Sequence, residues 1–451
     1  MDGQARDLAE ICAQALDAAR AAGAEAADAI ALASRSLGAD VRGGALEQAE
    51  SAESVDVGLR VLIGRRQATV SASDASRATI EALAERAVAM AGAAPEDPYC
   101  GLAAADQLAQ ARQADHLRLA DPAPAPDPAE LEALAREAEA AALAVPGVTQ
   151  AEGAGASWSR RDMHLAASNG FSGGYARTSA ALYVSAIAGE GLGMERDFRG
   201  ESRRGAAELP AADLIGREAG ERAVARLDPR RAPTGAFPVL YHERVSAGLI
   251  GHLIGAANGA SVARGSSWLK EKLGERVLPA GLDVVEEPHR VKGPASRPFD
   301  AEGLPTAERA FVRDGVLDSW VLDLASARKL GLQSTANAGA SPGATPSPGT
   351  TNLRLTPGEA GFDDLMAQMG TGLLITSLIG ASINPNTGDY SRGASGFWVE
   401  GGEIAYPVNE ITVAGNLHSM LASIVPANDA DPNRGAIVPS LLVEGLTVAG
   451  A

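Results

Sequence analysis

The chain is 451 residues long, 46% hydrophobic and 21% charged, a globular composition that excludes a disordered or fibrous protein. Its 57 acidic against 39 basic residues leave a net charge of −18, and Arg203-Arg204 and Arg230-Arg231 are isolated doublets, which disfavours direct nucleic-acid binding. Aromatic residues are only 4%, so the core must rest on aliphatic side chains and close backbone packing.

Leu8, Ile11, Cys12, Ala15, Leu16 and Ala19 recur at helical spacing, with Gly23 where a C-cap belongs. Val55, Val57, Leu59 and Val61 alternate over residues 54–63, residues 64–66 can turn, and 67–73 return, which reads as a hairpin. Ile80, Leu83, Ala87, Val88 and Ala91 mark a second helix with Asp74 or Ser76 as its N-cap. The Pro-rich run 121–128 is a semi-rigid spacer, and the Ala-, Leu- and Glu-rich run 130–143 behind it a helix. Between 151 and 198 the pattern changes to short β segments punctuated by Gly170, Gly173 and Gly174, before another helix over 209–227. From Thr234 onward, strand-like runs and dense glycine dominate. Residues 341–349 are too rich in Pro and Gly for regular structure and read as an exposed loop or a flap. Residues 397–400, Gly401-Gly402 and 403–408 form a hairpin whose glycines supply the positive φ angles of a two-residue turn. The expected fold is α+β. Residues 1–118 form an N-terminal domain of helices on antiparallel strands, 119–232 a central domain, and 233–451 a β-rich C-terminal lobe, barrel-like or sandwich-like.

Cys12 and Cys100 are the only cysteines and cannot build a disulfide framework, so a reducing compartment is expected. No basic-then-apolar leader opens the chain, and the longest oily stretch, 372–383, falls short of the ~20 residues that cross a bilayer. A soluble, cytoplasmic protein without membrane contact is the expectation.

Tyr241-His242-Glu243 follows a short apolar strand and opens a helix-like run, 245–257. A His-Glu pair of this kind begins many zinc sites: the His binds the ion, the Glu polarises bound water, and a second His one turn on completes the clamp. Here positions 246 and 247 are Ser and Ala. His252 comes ten residues after His242, ~15 Å of rise along a helix and ~80° off its face, so the two cannot share one ion on a straight helix. His116, His164, His289 and His418 form no ligand-spaced cluster, and no Cys follows Cys100. A second constellation is 384–400, NPNTGDYSRGASGFWVE. Asp389, Tyr390, Ser391 and Arg392 would line a cleft, Arg392 clamping a carboxylate or carbonyl, or else form a bulged loop in which Asp389 caps turn amides and pairs with Arg392. A third is Asp300 with Glu302, two carboxylates suited to acid–base work or a hard cation, and read here as a solvated turn before Leu304-Pro305. Gly265-Ser266-Ser267 lacks the nucleophile-elbow pattern, and neither a phosphate-cradling loop nor a dinucleotide fingerprint is present.

Read in order, Gly251-His252-Leu253-Ile254, Gly265-Ser266-Ser267-Trp268-Leu269, Pro298 through Gly303, Ala327-Arg328-Lys329-Leu330-Gly331, Asn337-Ala338-Gly339, TGDYSRGASGFWVE and Tyr406-Pro407-Val408 resemble the TldD/PmbA family, once called modulator-of-gyrase proteins. The GDYSRGA-GFWVE block resembles the PmbA (TldE) branch. The resemblance is strongest from about Thr234 to the end and looser before it. It implies a two-subunit bacterial metalloprotease acting on unfolded or extended peptides. In it the TldD branch holds zinc on a His-Glu-x-x-x-His helix plus a later Cys, and the PmbA/TldE branch lacks those ligands. In this sequence His242-Glu243 occupies the first positions, Ala247 stands where the second His would be, and the late Cys is missing.

The resemblance therefore implies a non-catalytic partner of a TldD-like zinc-bearing subunit, with no cofactor of its own, a peptide substrate, and a homodimer when the chain is alone. Two rival expectations differ in kind. One is an autonomous metallohydrolase using His242 and Glu243 with distant ligands such as His252 or Asp300; the other is a protein that binds gyrase or another regulator.

Overall fold

The structure, a computed structural model, describes residues 7–450. Helix α1 (Leu8–Ala22) starts where the Asp7 carboxylate accepts the Ala9 amide at 2.9 Å and stops at Gly23, whose φ of 102° few other residues would adopt. Strands β1 (Ala26–Arg42), β2 (Ala45–Ile63) and β3 (Arg66–Ala72) lead into α2 (Arg77–Ala93), capped by Ser76. Beyond the Pro-rich spacer, the Asp127 carboxylate accepts the Ala129 amide and the Glu130 carboxylate accepts the Asp127 amide, opening α3 (Pro128–Leu143). Strands β4 (Val148–Ala167), β5 (Ser172–Ala188) and β6 (Glu195–Arg203) and helix α4 (Ala212–Val224) complete this half. The region 151–198, expected as short β segments, is instead a long hairpin: Gly170 sits at its tip with φ 94°, and Gly173 and Gly174 lie inside β5.

The six strands form one antiparallel sheet in the order β3-β2-β1-β4-β5-β6. Its seam is β1 against β4, paired from Asp28↔Ala167 to Val41↔Ala154, so residues 1–118 and 119–232 contribute to a single sheet. Odd positions of β1 face the helices: Ala27, Ala29 and Ala31 meet α1 and α2, while Leu37, Ala39 and Val41 meet α3 and α4. These small side chains let the helices sit low on the sheet, which is how a core nearly without aromatics closes. The α3–α4 contact is tighter still, since a Cβ at Gly216 would collide with the Ala138 carbonyl. On the helix-free face, Ile30, Met163, Leu165 and Phe171 pack with Phe299, Leu304 and Leu324 of the following lobe.

That lobe runs β7 (Gly235–Tyr241), α5 (Glu243–Ala256), α6 (Gly259–Ala263), β8 (Val284–Glu286), β9 (Arg309–Arg313), β10 (Val316–Leu317), α7 (Leu324–Leu330), β11 (Ala338–Gly339), β12 (Ser347–Pro348), β13 (Leu353–Leu355), α8 (Phe362–Met369), β14 (Gly372–Ile383), β15 (Asp389–Glu400), β16 (Glu403–Asn416), α9 (Leu417–Ala422), β17 (Val425–Pro426), β18 (Ala436–Ile437) and β19 (Leu441–Gly450). Strands β16-β15-β14-β7-β19 close into a barrel when β19 pairs back onto β16, from Ile411↔Gly450 to Ala414↔Thr447. Its β15–β16 turn is the expected Gly401-Gly402, with φ of 59° and 84°. A second sheet, β10-β9-β8-β13-β18, lies beside it. The fold is α+β, and the C-terminal lobe is a barrel rather than a sandwich. Residues 341–349 are anchored rather than free. Ser347–Pro348 pair with Ala338–Gly339, Thr345 Oγ1 lies 3.0 Å from Thr69 Oγ1, and Pro342 leaves no room for a side chain at Gly58.

Candidate functional site

Strand β7 ends in the buried Tyr241, and His242 turns the chain into α5. The His242 amide donates to the Ile375 carbonyl of β14 at 3.0 Å, while its Nδ1 accepts the Arg244 amide at 3.3 Å. The imidazole is thus a helix N-cap, with its ring 5.4 Å from that of Phe362. Burial, reinforced by the Arg244 cation, holds its pKa down to about 4, so it is neutral at physiological pH. Glu243 follows in the first helical turn. Burial pushes its carboxyl upward, against the pull of the Arg434 guanidinium. One turn on, Ala247 packs against the barrel core. His252 faces elsewhere, its ring 6.0 Å from Tyr390. Among the described residues no three His, Cys, Asp or Glu side chains come together as a metal-holding group. With one His nitrogen already committed to a backbone amide and an alanine at the next turn, these residues do not fit a zinc ion.

Glu243 opens instead onto a cleft of about 540 Å³ between β6, α5, β14, β15 and the 429–434 loop. Guanidinium groups dominate it: Arg199, Arg222, Arg244, Arg392 and Arg434 share the lining with Glu201, Glu243, Asp429 and Asp431. The buried Asp197 ties the two lobes together behind this cleft, pairing with Arg244 of α5 and, at 3.3 Å, with Arg226. Arg199 is held by Glu201 at 3.1 Å and by Glu218. The Thr376 hydroxyl at the wall is buried without a hydrogen-bond partner among the described residues. Forked donors interleaved with the four carboxylates of the lining can grip carboxylate or carbonyl oxygens, and the arrangement leaves Glu243 short of solvent.

The segment 389–392 lies within β15, not before it, so its side chains alternate between two surfaces. Asp389 is exposed and accepts hydrogen bonds from Thr387 Oγ1 (2.6 Å) and Asn416 Nδ2 (3.0 Å), with no pairing to Arg392. Tyr390 is buried in the barrel core, its hydroxyl 3.5 Å from that of Tyr241, and Ser391 is half-buried on the Asp389 side. Arg392 alone of the four joins Glu243 in the cleft, steadied by a 2.6 Å bond from its Nε to the carbonyl of Gly380, a bulge residue with φ 63°. Asp300 and Glu302 are not a solvated turn. Asp300 accepts the amides of Glu302, Leu304 and Ala338, Glu302 accepts that of Leu324, and both carboxylates are buried under the N-terminal sheet. Burial, then the neighbouring Asp300, raises Glu302 to about 8. The cleft residues Arg199, Arg222 and Arg434 escape notice in the sequence because they come from β6, α4 and a loop near the end of the chain.

A helix-backed six-stranded sheet joined to a closed barrel, with His-Glu opening the helix behind the barrel's first strand, has the architecture of a metallopeptidase family. Residues 27–91, 121–227 and 234–450 match domain 1, the central domain and the C-terminal domain of the PmbA/TldA metallopeptidases. The chain is 36% identical over 455 residues to the metalloprotease PmbA of Escherichia coli O157:H7, covering all of this chain and 98% of that one. Among solved structures, a modulator of DNA gyrase from Bacteroides thetaiotaomicron superposes with a TM-score of 0.90 at 26% identity, over 98% of each chain. TldE from Thermococcus kodakarensis shares the fold, with a TM-score of 0.84 at 18% identity over 98% of this chain and all of that one. The chain belongs to the PmbA/TldD metallopeptidase family. No helix among the described residues is long and apolar enough to cross a membrane.

Proposed function

We propose that this chain is the metal-free subunit of a cytoplasmic two-subunit peptidase, completing the substrate path of a TldD-like partner whose zinc does the hydrolysis. The observation that carries the reading is the state of the His-Glu pair: His242 spends its Nδ1 on capping α5, and Ala247 occupies the place of a second ligand. What remains is a binding surface. Glu243, Arg392 and the guanidiniums around them suit the carbonyls and terminal carboxylate of an extended peptide, with Arg392 as the clamp. Within 389–392 the peptide contact falls to Arg392, while Asp389, Tyr390 and Ser391 hold the strand in place.

The test is to purify the chain alone and mixed with a TldD-type subunit, then measure bound zinc and cleavage of an unfolded peptide. The expected result is less than one-tenth equivalent of zinc and no cleavage alone, with a stable complex and cleavage on mixing. Stoichiometric zinc in the isolated chain, with chelator-sensitive activity lost in Glu243→Gln, would overturn it in favour of an autonomous hydrolase. A stable complex with gyrase and none with a TldD-type chain would overturn it in favour of a regulator-binding protein.

A further inference from the structure

A second cleft, of about 620 Å³, lies on the helix-free face of the N-terminal sheet. That volume is within the ~300–1,000 Å³ range typical of ligand sites. Eight of its twenty lining residues are Arg or Lys and one is Glu, in a chain whose net charge is −18. The strand register shows how its floor is built. Ser34, Arg161 and Arg177 stand side by side across β1, β4 and β5, and Ser36, Ser159 and Ser179 form the next row on the same face. Ser202 of β6 extends that second row, 3.0 Å from Ser179. The floor is therefore guanidinium and hydroxyl, without an apolar side chain.

Five of the eight cations have carboxylate partners; Lys292, for example, takes the lone Glu208 at 2.6 Å. Arg161, Arg177 and Arg204 have no ion-pair partner among the described residues. Arg161 is exposed and its side chain makes no hydrogen bond to the described residues. Arg177 donates only to the Pro294 and Ser296 carbonyls and the Tyr175 hydroxyl. Arg204 is buried and donates to the carbonyls of Thr178, Lys292 and Gly293. Burial and the like charge of Arg177 bring its pKa down to about 10, a repulsion that a bound anion would relieve. Arg290, in the wall, has a buried Nη1 with no hydrogen bond, its nearest carboxylate Glu287 lying 3.6 Å away.

We infer that this cleft is an anion site that holds a carboxylate-rich stretch of extended peptide, its acidic side chains on the Arg161–Arg177 row. The inference rests on the reading of the chain as a peptide-handling subunit, and two features favour a peptide. The floor spans three strands, roughly 10 Å across, enough for about three extended residues and too narrow for a duplex. The 429–434 loop separates this cleft from the one containing Glu243: Pro432 and Asn433 face the first, Asp429, Asp431 and Arg434 the second. A chain lying in one therefore leads toward the other.

The experiment uses the full-length protein and fluorescence anisotropy with an end-blocked, labelled hexaglutamate peptide. The controls are hexaglutamine, a hexanucleotide and inorganic phosphate. Hexaglutamate should bind, hexaglutamine should not, and binding should weaken about tenfold in Arg161→Gln and fall steeply with salt. Arg161 supports no other group, so that variant should keep the wild-type melting temperature; Arg161→Glu should abolish binding. Equal binding of hexaglutamine, or unchanged affinity in Arg161→Gln, would refute the site. Displacement of hexaglutamate by the hexanucleotide at lower concentration would reassign it to nucleic acid, and displacement by phosphate at equal concentration to a small free anion. Complex formation with a TldD-type chain is scored separately. Failure of hexaglutamate with an intact complex sinks only the cleft assignment, and hexaglutamate binding without a complex sinks only the subunit reading.

Discussion

The neutral, helix-capping His242 makes a quantitative prediction about acid stability. In the unfolded chain its imidazole takes up a proton near its ordinary 6.5, whereas in the fold it does so only at about 4. Between those values the unfolded state binds more protons, so stability rises with pH across the window, is fully present above 6.5, and is lost as pH falls toward 4. The fall from 6.5 to about 4, at about 1.36 kcal/mol per pH unit, amounts to roughly 3 kcal/mol, which the ring's remaining contact with water trims to about 2 kcal/mol. His242→Asn keeps a side-chain oxygen to cap α5 and removes the titration. Urea denaturation of both proteins at pH 7 and pH 4.5 isolates the effect, since carboxylate titrations elsewhere are common to the pair. Wild type should lose about 2 kcal/mol more than the variant on acidification. Equal losses would refute the claim that His242 is held neutral, and with it the argument that its nitrogen belongs to the helix.

Three other outcomes follow from the packing. Asp197→Asn strips the half-buried Arg226 and Arg244 of their shared, buried counter-ion and should cost about 3 kcal/mol in urea denaturation, while a loss below ~1 kcal/mol would mean the pairs are screened. Glu302, raised to about 8, contributes stability that is present below 4.5 and lost as pH rises through 8. Glu302→Gln mimics the protonated acid, so its denaturation midpoint should stay flat between pH 6 and 9 where wild type declines. Gly396→Ala would drive a Cβ into the Leu374 carbonyl across β14 and β15, so soluble expression should collapse, whereas Gly401→Ala, facing open space at a strained turn, should cost only about 1 kcal/mol.

Local pattern carried the helices, the two tight hairpins and the barrel-bearing lobe, because capping residues, period-two alternation and Gly-Gly turns act over a few neighbours. It placed His242-Glu243 at the start of α5 for the same reason. The error over Asp300 and Glu302 is instructive: Gly303 and Pro305 do make a turn, yet the turn is roofed by β4 and α7, and burial is decided by partners far along the chain. The 389–392 segment is a related case: a strand sends Asp389 and Ser391 to one surface and Tyr390 and Arg392 to the other, where Tyr390 is buried in the core and Arg392 reaches the cleft. The basic cleft is the clearest case. Scattered as Arg35, Arg160-Arg161, Arg177, Arg203-Arg204 and Arg290, its cations look like isolated singlets and doublets; strand pairing gathers those of the sheet, and a loop of the following lobe adds Arg290.

The β1–β4 seam has a consequence for how this protein is made. Strand β1 is synthesised more than a hundred residues before β4, so until the ribosome has passed Ala167 its inner edge has no mate. A fragment ending in the Pro-rich spacer would carry that open edge permanently and should self-associate, however well α1 and α2 cover its face. The first two matched segments are thus neighbours in sequence yet one cooperative unit in folding, and their independent expression is the wrong place to look for a minimal fragment.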